Sequence, residues 1–77
     1  MKPIVVESTT LASVAYQADS EILELQFRNQ AIYRYFRVPA PVYEALLSAP
    51  SKGRYFNRLI RGRFPYAQTA PTGDSLF

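Results

Sequence analysis

Histidine, cysteine and tryptophan are all absent from this chain of 77 residues, and the first two absences each remove a class of chemistry. Without histidine there is no ordinary general base near neutral pH and no histidine-based catalytic triad. Without cysteine there is neither a disulfide framework nor a thiolate nucleophile, and zinc or copper would lack their usual ligands. No apolar run approaches the ~20 residues that span a bilayer, so no membrane association is expected. Met1-Lys2-Pro3 leads into a strand-like run broken by Glu7, unlike a secretory leader, and the cytoplasm is the expected compartment. Glycine is also scarce, and Gly53 and Gly62 lie outside any phosphate-cradling Gly-rich pattern. Glu21 and Glu24 read as the solvated edge of a strand rather than a catalytic pair. Ser51-Lys52 cannot act as a serine–lysine pair, because neighbours on a helix point in different directions. The chain therefore reads as non-enzymatic, with no metal and no cofactor.

What remains is a globular composition with uneven charge. Hydrophobic residues make up 48% of the chain and aromatics 14%, enough for one modest core at a size where folding buries only ~60% of the surface. The net charge of +3 hides an asymmetry: residues 1–27 set Lys2 against Glu7, Asp19, Glu21 and Glu24, whereas residues 28–63 hold eight Lys or Arg against Glu44 alone. A chain with one cationic end suits phosphate, acidic protein or an anionic surface.

Ile4-Val5-Val6 is a short β-branched run, expected as an edge strand opened by Pro3. Residues 11–17 alternate, with Ala12, Val14 and Tyr16 set against Leu11, Ser13 and Ala15. After the turn residues Ala18-Asp19-Ser20, residues 21–27 form the clearest strand, Leu23, Leu25 and Phe27 facing one way and Glu24 and Gln26 the other. Arg28-Asn29-Gln30-Ala31 makes a polar hairpin, and residues 32–36 return. An even loop would place Ile32 and Phe36 on the core face, and an odd, bulged loop would place Tyr33 and Tyr35 there. The odd loop is the expectation, because the even one puts Arg34 in the core beside Leu25. Pro41 suits the first turn of a helix over residues 42–47, Ala49-Pro50 breaks it, and Ser51 can cap a second helix.

That second helix opens the most distinctive stretch. Residues 51–66 carry five of the nine basic residues, no acidic one and four aromatics. At helical spacing Tyr55, Phe56, Leu59 and Ile60 share an apolar face, and Arg54, Arg58 and Arg61 form a stripe turned away from it, before Gly62 and Pro65 stop the helix. Lys52, Arg54, Arg58, Arg61 and Arg63 are suited to neutralising phosphate, and Tyr33, Tyr35 and Tyr55 to stacking on bases. The bland alternative is a solvated basic face beside core tyrosines. Lys52-Gly53-Arg54-Tyr55-Phe56 resembles the RNA-recognition-motif signature but fails it: Arg54 stands where an aromatic is needed, in a helical rather than a strand segment.

The fold expected is α+β: a meander of three to four antiparallel strands, covered on one face by one or two C-terminal helices, in a single domain of residues 1–66. Residues 67–77, rich in Thr, Pro, Gly, Ser and Ala, are expected to be a flexible tail. The other sheet face is left open to solvent, or to a partner.

The strand–turn–strand ending in Tyr33-Arg34-Tyr35, the Val38-Pro39 that follows, Val42-Tyr43-Glu44-Ala45-Leu46-Leu47, and Ser51-Lys52-Gly53-Arg54-Tyr55-Phe56-Asn57 with Ile60-Arg61 resemble the KTSC domain over roughly residues 8–66. That family is named for its occurrence at the C-terminus of some lysyl-tRNA synthetases and also occurs as small free-standing bacterial proteins. The resemblance implies an uncharacterised domain for which RNA binding has been proposed. It points to Tyr33, Tyr35, Lys52, Gly53, Tyr55, Phe56 and Asn57. Three of these have structural readings: Gly53 for close packing, Phe56 for the core, and Asn57 for a buried hydrogen bond. RNA is the leading partner. A homodimer or another protein docked on the open sheet face is the alternative.

Overall fold

Alternation, turn chemistry and two amphipathic segments produce a sheet with helices on one side. The computed structural model describes residues 2–70, in the order β1 (Ile4–Val5), β2 (Leu11–Gln17), β3 (Ile22–Phe27), β4 (Ile32–Tyr35), α1 (Ala40–Ser48), α2 (Lys52–Leu59) and β5 (Tyr66–Ala70). All five strands are antiparallel neighbours in the spatial order β1-β2-β3-β4-β5, and the sheet stays open. The α+β expectation holds, with two corrections. The described residues hold five strands rather than three or four, and both helices lie between β4 and β5 rather than after the sheet.

The fifth strand also moves the expected start of the tail. Ala67, Gln68 and Ala70 pair with β4, Tyr66 lying opposite Tyr35, Ala67 opposite Arg34, Gln68 opposite Tyr33 and Ala70 opposite Ile32, with Thr69 the extra residue where the register shifts. Thr69 Oγ1 adds a bond to the Ile32 carbonyl at 3.3 Å, and the Phe36 N–H donates to the Pro65 carbonyl at 2.9 Å. Tyr and Thr favour a pleated, half-buried surface, and Pro65, lacking an N–H, stands just before the ladder begins. The rest of the expected tail, residues 71–77, lies outside the described residues.

Two bulges set which side chains meet the core. The β3–β4 loop closes with the Phe27 N–H on the Ala31 carbonyl and the Gln30 N–H on the Phe27 carbonyl, both 2.9 Å. Gln30 takes φ +74°, the left-handed residue of a bulged three-residue loop. Leu23 then faces Tyr35, Leu25 faces Tyr33, and Glu24 faces Arg34 on the open side, as the odd loop requires. In β2 the ladder slips between Leu11 and Ser13, so the extra residue Ala12 lets Leu11 share the core face with Val14 and Tyr16. Simple alternation had placed Leu11 on the opposite face.

The core is the seam between this face and the helices. Leu11, Val14, Leu23, Leu25, Val38, Leu46 and Ile60 have less than 2% of their surface exposed. Each such aliphatic side chain contributes about 1.5–3 kcal/mol relative to leaving it in water. Pro41 lies in the first turn of α1. Tyr16 on β2 stacks on Tyr43 of α1 at 4.6 Å, and its hydroxyl donates to the Val38 carbonyl at 2.6 Å. Ser51 caps α2, its hydroxyl accepting from the Arg54 N–H at 3.4 Å. The helix ends at a turn in which the Arg63 N–H reaches the Ile60 carbonyl and Gly62 adopts φ +77°. Of the apolar face expected on α2, Phe56 and Ile60 are buried and Tyr55 half-buried, whereas Leu59 is 43% exposed.

Candidate functional site

The helices do not cover the whole face. Beyond α2, over β4 and β5, a cleft of about 460 Å³ remains open. Tyr33, Tyr35 and Tyr66 form its floor, because the β4–β5 register sets Tyr66 opposite Tyr35 with Tyr33 two residues away on the same face. Tyr66 lies 5.6 Å from Tyr33 and 5.5 Å from Tyr35, tilted by 43° and 30°. Phe27 meets Tyr33 edge-on at 5.6 Å, and Phe56 meets both Phe27 and Tyr35 edge-on at 5.3 and 5.7 Å. Such offset and edge contacts are each worth about 0.5–1.5 kcal/mol beyond area burial, so the rings are held in place rather than free to collapse inward.

Polar groups sit at the rim. Arg61, just past the end of α2, borders the cleft with Gly62, as do Asn29 of the β3–β4 loop and Gln68 of β5. The Asn29 Oδ1 accepts from the Ala31 N–H at 3.1 Å, which fixes the orientation of that amide. Arg61 Nη1 reaches the Asn57 Oδ1 at 3.4 Å. Burial pushes the Tyr35 hydroxyl above the ordinary tyrosine pKa, neighbouring Tyr33 and Tyr66 push the same way, and the Arg61 guanidinium opposes them. Tyr35 is thus neutral at pH 7 and presents a hydroxyl dipole rather than a charge.

Six of the eight binding candidates singled out from sequence fall into two groups. Tyr33, Tyr35 and Arg61 come together at the cleft, where Tyr33 is half-buried and Tyr35, only 4% exposed, is a floor rather than an accessible platform. Arg54, Arg58 and Tyr55 instead line a separate shallow groove of about 280 Å³ between the α1–α2 turn and α2. The Tyr55 hydroxyl is bonded to the Val42 carbonyl at 3.3 Å, anchoring α2 to α1. The arginine stripe is therefore divided, because α2 ends before Arg61 and the turn redirects it. Lys52 Nζ donates to the Ala49 carbonyl at 3.2 Å and closes the end of α1, and Arg63 Nε donates to the Arg58 carbonyl at 2.9 Å. Among the described residues none of Arg54, Arg58, Arg61 and Arg63 pairs with a carboxylate; the ion pair there is Arg34 with Glu24, at 2.8 Å on the open face.

Of the family-motif residues, Gly53 and Phe56 are buried as expected for packing roles. Asn57 is exposed and bonds Arg61, which corrects the buried hydrogen bond expected of it. Tyr66, Phe27, Asn29 and Gln68 were not picked out from sequence. The signal for Tyr66 and Gln68 was the alternation of Tyr66-Ala67-Gln68-Thr69, masked by a composition that resembles a tail. Among the described residues no group of three or more His, Cys, Asp or Glu converges as a metal site would, and no helix is long and apolar enough to cross a membrane.

An open five-stranded α+β domain with an aromatic cleft beside a basic turn defines the class. The family model for the KTSC domain matches residues 7–64, and the chain belongs to that family. An uncharacterised protein of Stutzerimonas stutzeri is 43% identical over 61 residues, 79% of this chain and 86% of that one. A lysine–tRNA ligase of a Nostoc species is 42% identical over 62 residues, 80% of this chain but only 11% of the ligase. A second such ligase, from Trichormus variabilis, is 39% identical with the same coverage of 80% and 11%, so the chain spans about a tenth of these relatives. The crystal structure of a KTSC domain protein from Yersinia pestis matches with a TM-score of 0.87 at 36% identity, covering 90% of this chain and 97% of that one. The family match is to a small domain of unknown function, and neither it nor the structural relative indicates a family of enzymes.

Proposed function

We infer that this is a non-enzymatic RNA-binding domain that uses the surface running from α2 to the aromatic cleft. The observation carrying this reading is the placement of Arg61, a guanidinium with no carboxylate partner among the described residues, beside an open cleft floored by tyrosines. Phosphate neutralisation supplies sequence-independent affinity, and unpaired bases stack on aromatic rings. Arg54, Arg58 and Arg63 extend the positive surface. The lysine–tRNA ligases among the relatives, named for an RNA, give the same context.

The test is a binding titration against single-stranded RNA, structured RNA and heparin at about 50 and 200 mM salt. Salt-sensitive binding that prefers RNA to heparin supports the reading. Equal binding to all three reduces it to a generic cationic surface, and no binding at low salt removes RNA.

A second reading, a homodimer or a protein partner on the open sheet face, rests on Val5, 84% exposed, and on the half-buried Ile22, Ile32 and Phe36. That face also carries a hydrogen bond from Ser13 to Gln26 at 3.1 Å and the Arg34–Glu24 pair, so its polar groups are satisfied without a partner. A dimer burying it would melt higher at higher protein concentration.

A further inference from the structure

The cleft has the size and chemistry of a ligand site. Its volume of about 460 Å³ falls in the range of ~300–1,000 Å³ typical of pockets that enclose small molecules. Its two halves differ. One is a tilted array of rings, in which Tyr66 is 58% exposed and offers a face. The other is a rim of one guanidinium, Arg61, and the amides of Asn29 and Gln68, and among the described residues no carboxylate lines the cavity. A hydrocarbon would desolvate Arg61 and leave it without an anion. A polyanion without rings would leave the tyrosine array unused. A flat heteroaromatic carrying a phosphate satisfies both: the ring plane stacks on Tyr66 and abuts the tilted Tyr33 ring, the phosphate meets Arg61, and a fixed side-chain amide faces hydrogen-bonding groups on the ring edge.

We propose that the Tyr33–Tyr66–Arg61 cleft is a mononucleotide site that takes one unpaired base with its attached phosphate. The inference rests on the RNA-binding reading where the nucleotide belongs to a strand. The same chemistry is offered by a free nucleotide. Tyr35, being buried, serves as the positioning floor under Tyr33 and Tyr66 and does not touch the base.

The experiment follows backbone amide NMR shifts of the full chain on titration with adenosine monophosphate, ribose 5-phosphate and inorganic phosphate. A parallel arm uses short RNAs with 2-aminopurine at the 3′ end or in the interior. The expected result is saturable movement of the Ala31, Gly62 and Gln68 amides with adenosine monophosphate, and binding of ribose 5-phosphate weaker by about 5- to 100-fold, the contribution of one stacked base. Tyr66→Leu, on an exposed strand position, should weaken adenosine monophosphate by a similar factor, and Tyr66→Phe should restore it. Quenching of 2-aminopurine on RNA binding would assign the nucleotide to a strand. Adenosine monophosphate moving the cleft while no RNA binds would keep the site, assign it to free nucleotides and overturn the RNA reading. RNA binding that leaves the cleft amides unmoved and 2-aminopurine unquenched would overturn the site and leave the RNA reading intact. Equal response to ribose 5-phosphate and adenosine monophosphate would overturn it too, since the rings would then play no part.

Discussion

Gly53 in the first turn of α2 faces Thr10 so closely that a Cβ there would stand 2.5 Å from the threonine Oγ1 and 3.0 Å from its Cβ. The loop cannot easily retreat, because the Thr10 N–H is held by Ser8 Oγ at 3.0 Å and its carbonyl by the Arg28 N–H at 3.0 Å. Arg28 ties the same loop further through Nε to the Ser8 carbonyl at 3.0 Å. Gly53 is thus a spacing residue, and the run Ser51-Lys52-Gly53 is explained by a cap, a closure of α1 and a close approach. Gly53→Ala should cost up to about 2 kcal/mol of stability, since overpacking of about 1–3 kcal/mol outweighs the ~1 kcal/mol helix gain of alanine over glycine. Thr10→Ala in the same chain should recover part of that loss. A double-mutant cycle in urea reads the coupling, and additive effects would show that the two residues do not press on each other.

Tyr16 joins β2 to the approach to α1 through its hydroxyl bond to the buried Val38 carbonyl and its stack on Tyr43. Tyr16→Phe keeps the stack and strands the carbonyl, at an expected cost of about 1–3 kcal/mol. For a chain of this size that lowers Tm by roughly 4–8 °C per kcal/mol. An unchanged melt would mean that water replaces the hydroxyl without loss.

The Tyr35 hydroxyl sits above its ordinary pKa in the folded chain, first because it is buried and then because Tyr33 and Tyr66 lie beside it, with Arg61 opposing. A raised folded-state pKa favours the neutral form. The resulting stability is complete below the unfolded value of about 10 and is lost as pH rises from there through the folded value. Urea midpoints should therefore fall as pH climbs past ~10, and Tyr35→Phe should flatten that fall. The same fall in the variant would assign the alkaline loss to other groups.

Much of this fold was legible in order and periodicity. Leu23, Leu25 and Phe27 declared their face by strict alternation, and Arg34 decided the β4 register because its charge could not enter the core beside Leu25. Ser51, Pro41 and Gly62 marked helix ends through local chemistry. Two features were not legible. The bulge at Ala12 shifts Leu11 by one residue, and nothing in an alternating apolar run announces an extra residue. Strand β5 forms because α1 and α2 carry the chain back to the free edge of β4, a tertiary event that no local composition records. The site was half legible for the same reason. Charge and aromatic content drew attention to Arg61, Tyr33 and Tyr35, but their separation from Arg54, Arg58 and Tyr55 depends on where α2 stops.

The division of the arginines has its own consequence. Arg54 and Arg58 line the shallow groove and have no place at the cleft. Replacing both by alanine should weaken every single-stranded RNA alike and reduce the slope of log K against log salt by about 0.7 for each phosphate left unneutralised. It should leave adenosine monophosphate binding unchanged. Loss of mononucleotide binding in this variant would mean that the two surfaces act as one.

The most direct test of the cleft as part of an RNA site compares the salt slopes of the natural chain, Arg61→Ala and Tyr66→Leu on one single-stranded RNA. Arg61→Ala should weaken binding and reduce the slope by about 0.7, the signature of one phosphate that is no longer neutralised. Tyr66→Leu should weaken binding by about 5- to 100-fold with the slope unchanged, the signature of a missing stack. Both variants binding with the affinity and slope of the natural chain would contradict the assignment of RNA to this cleft.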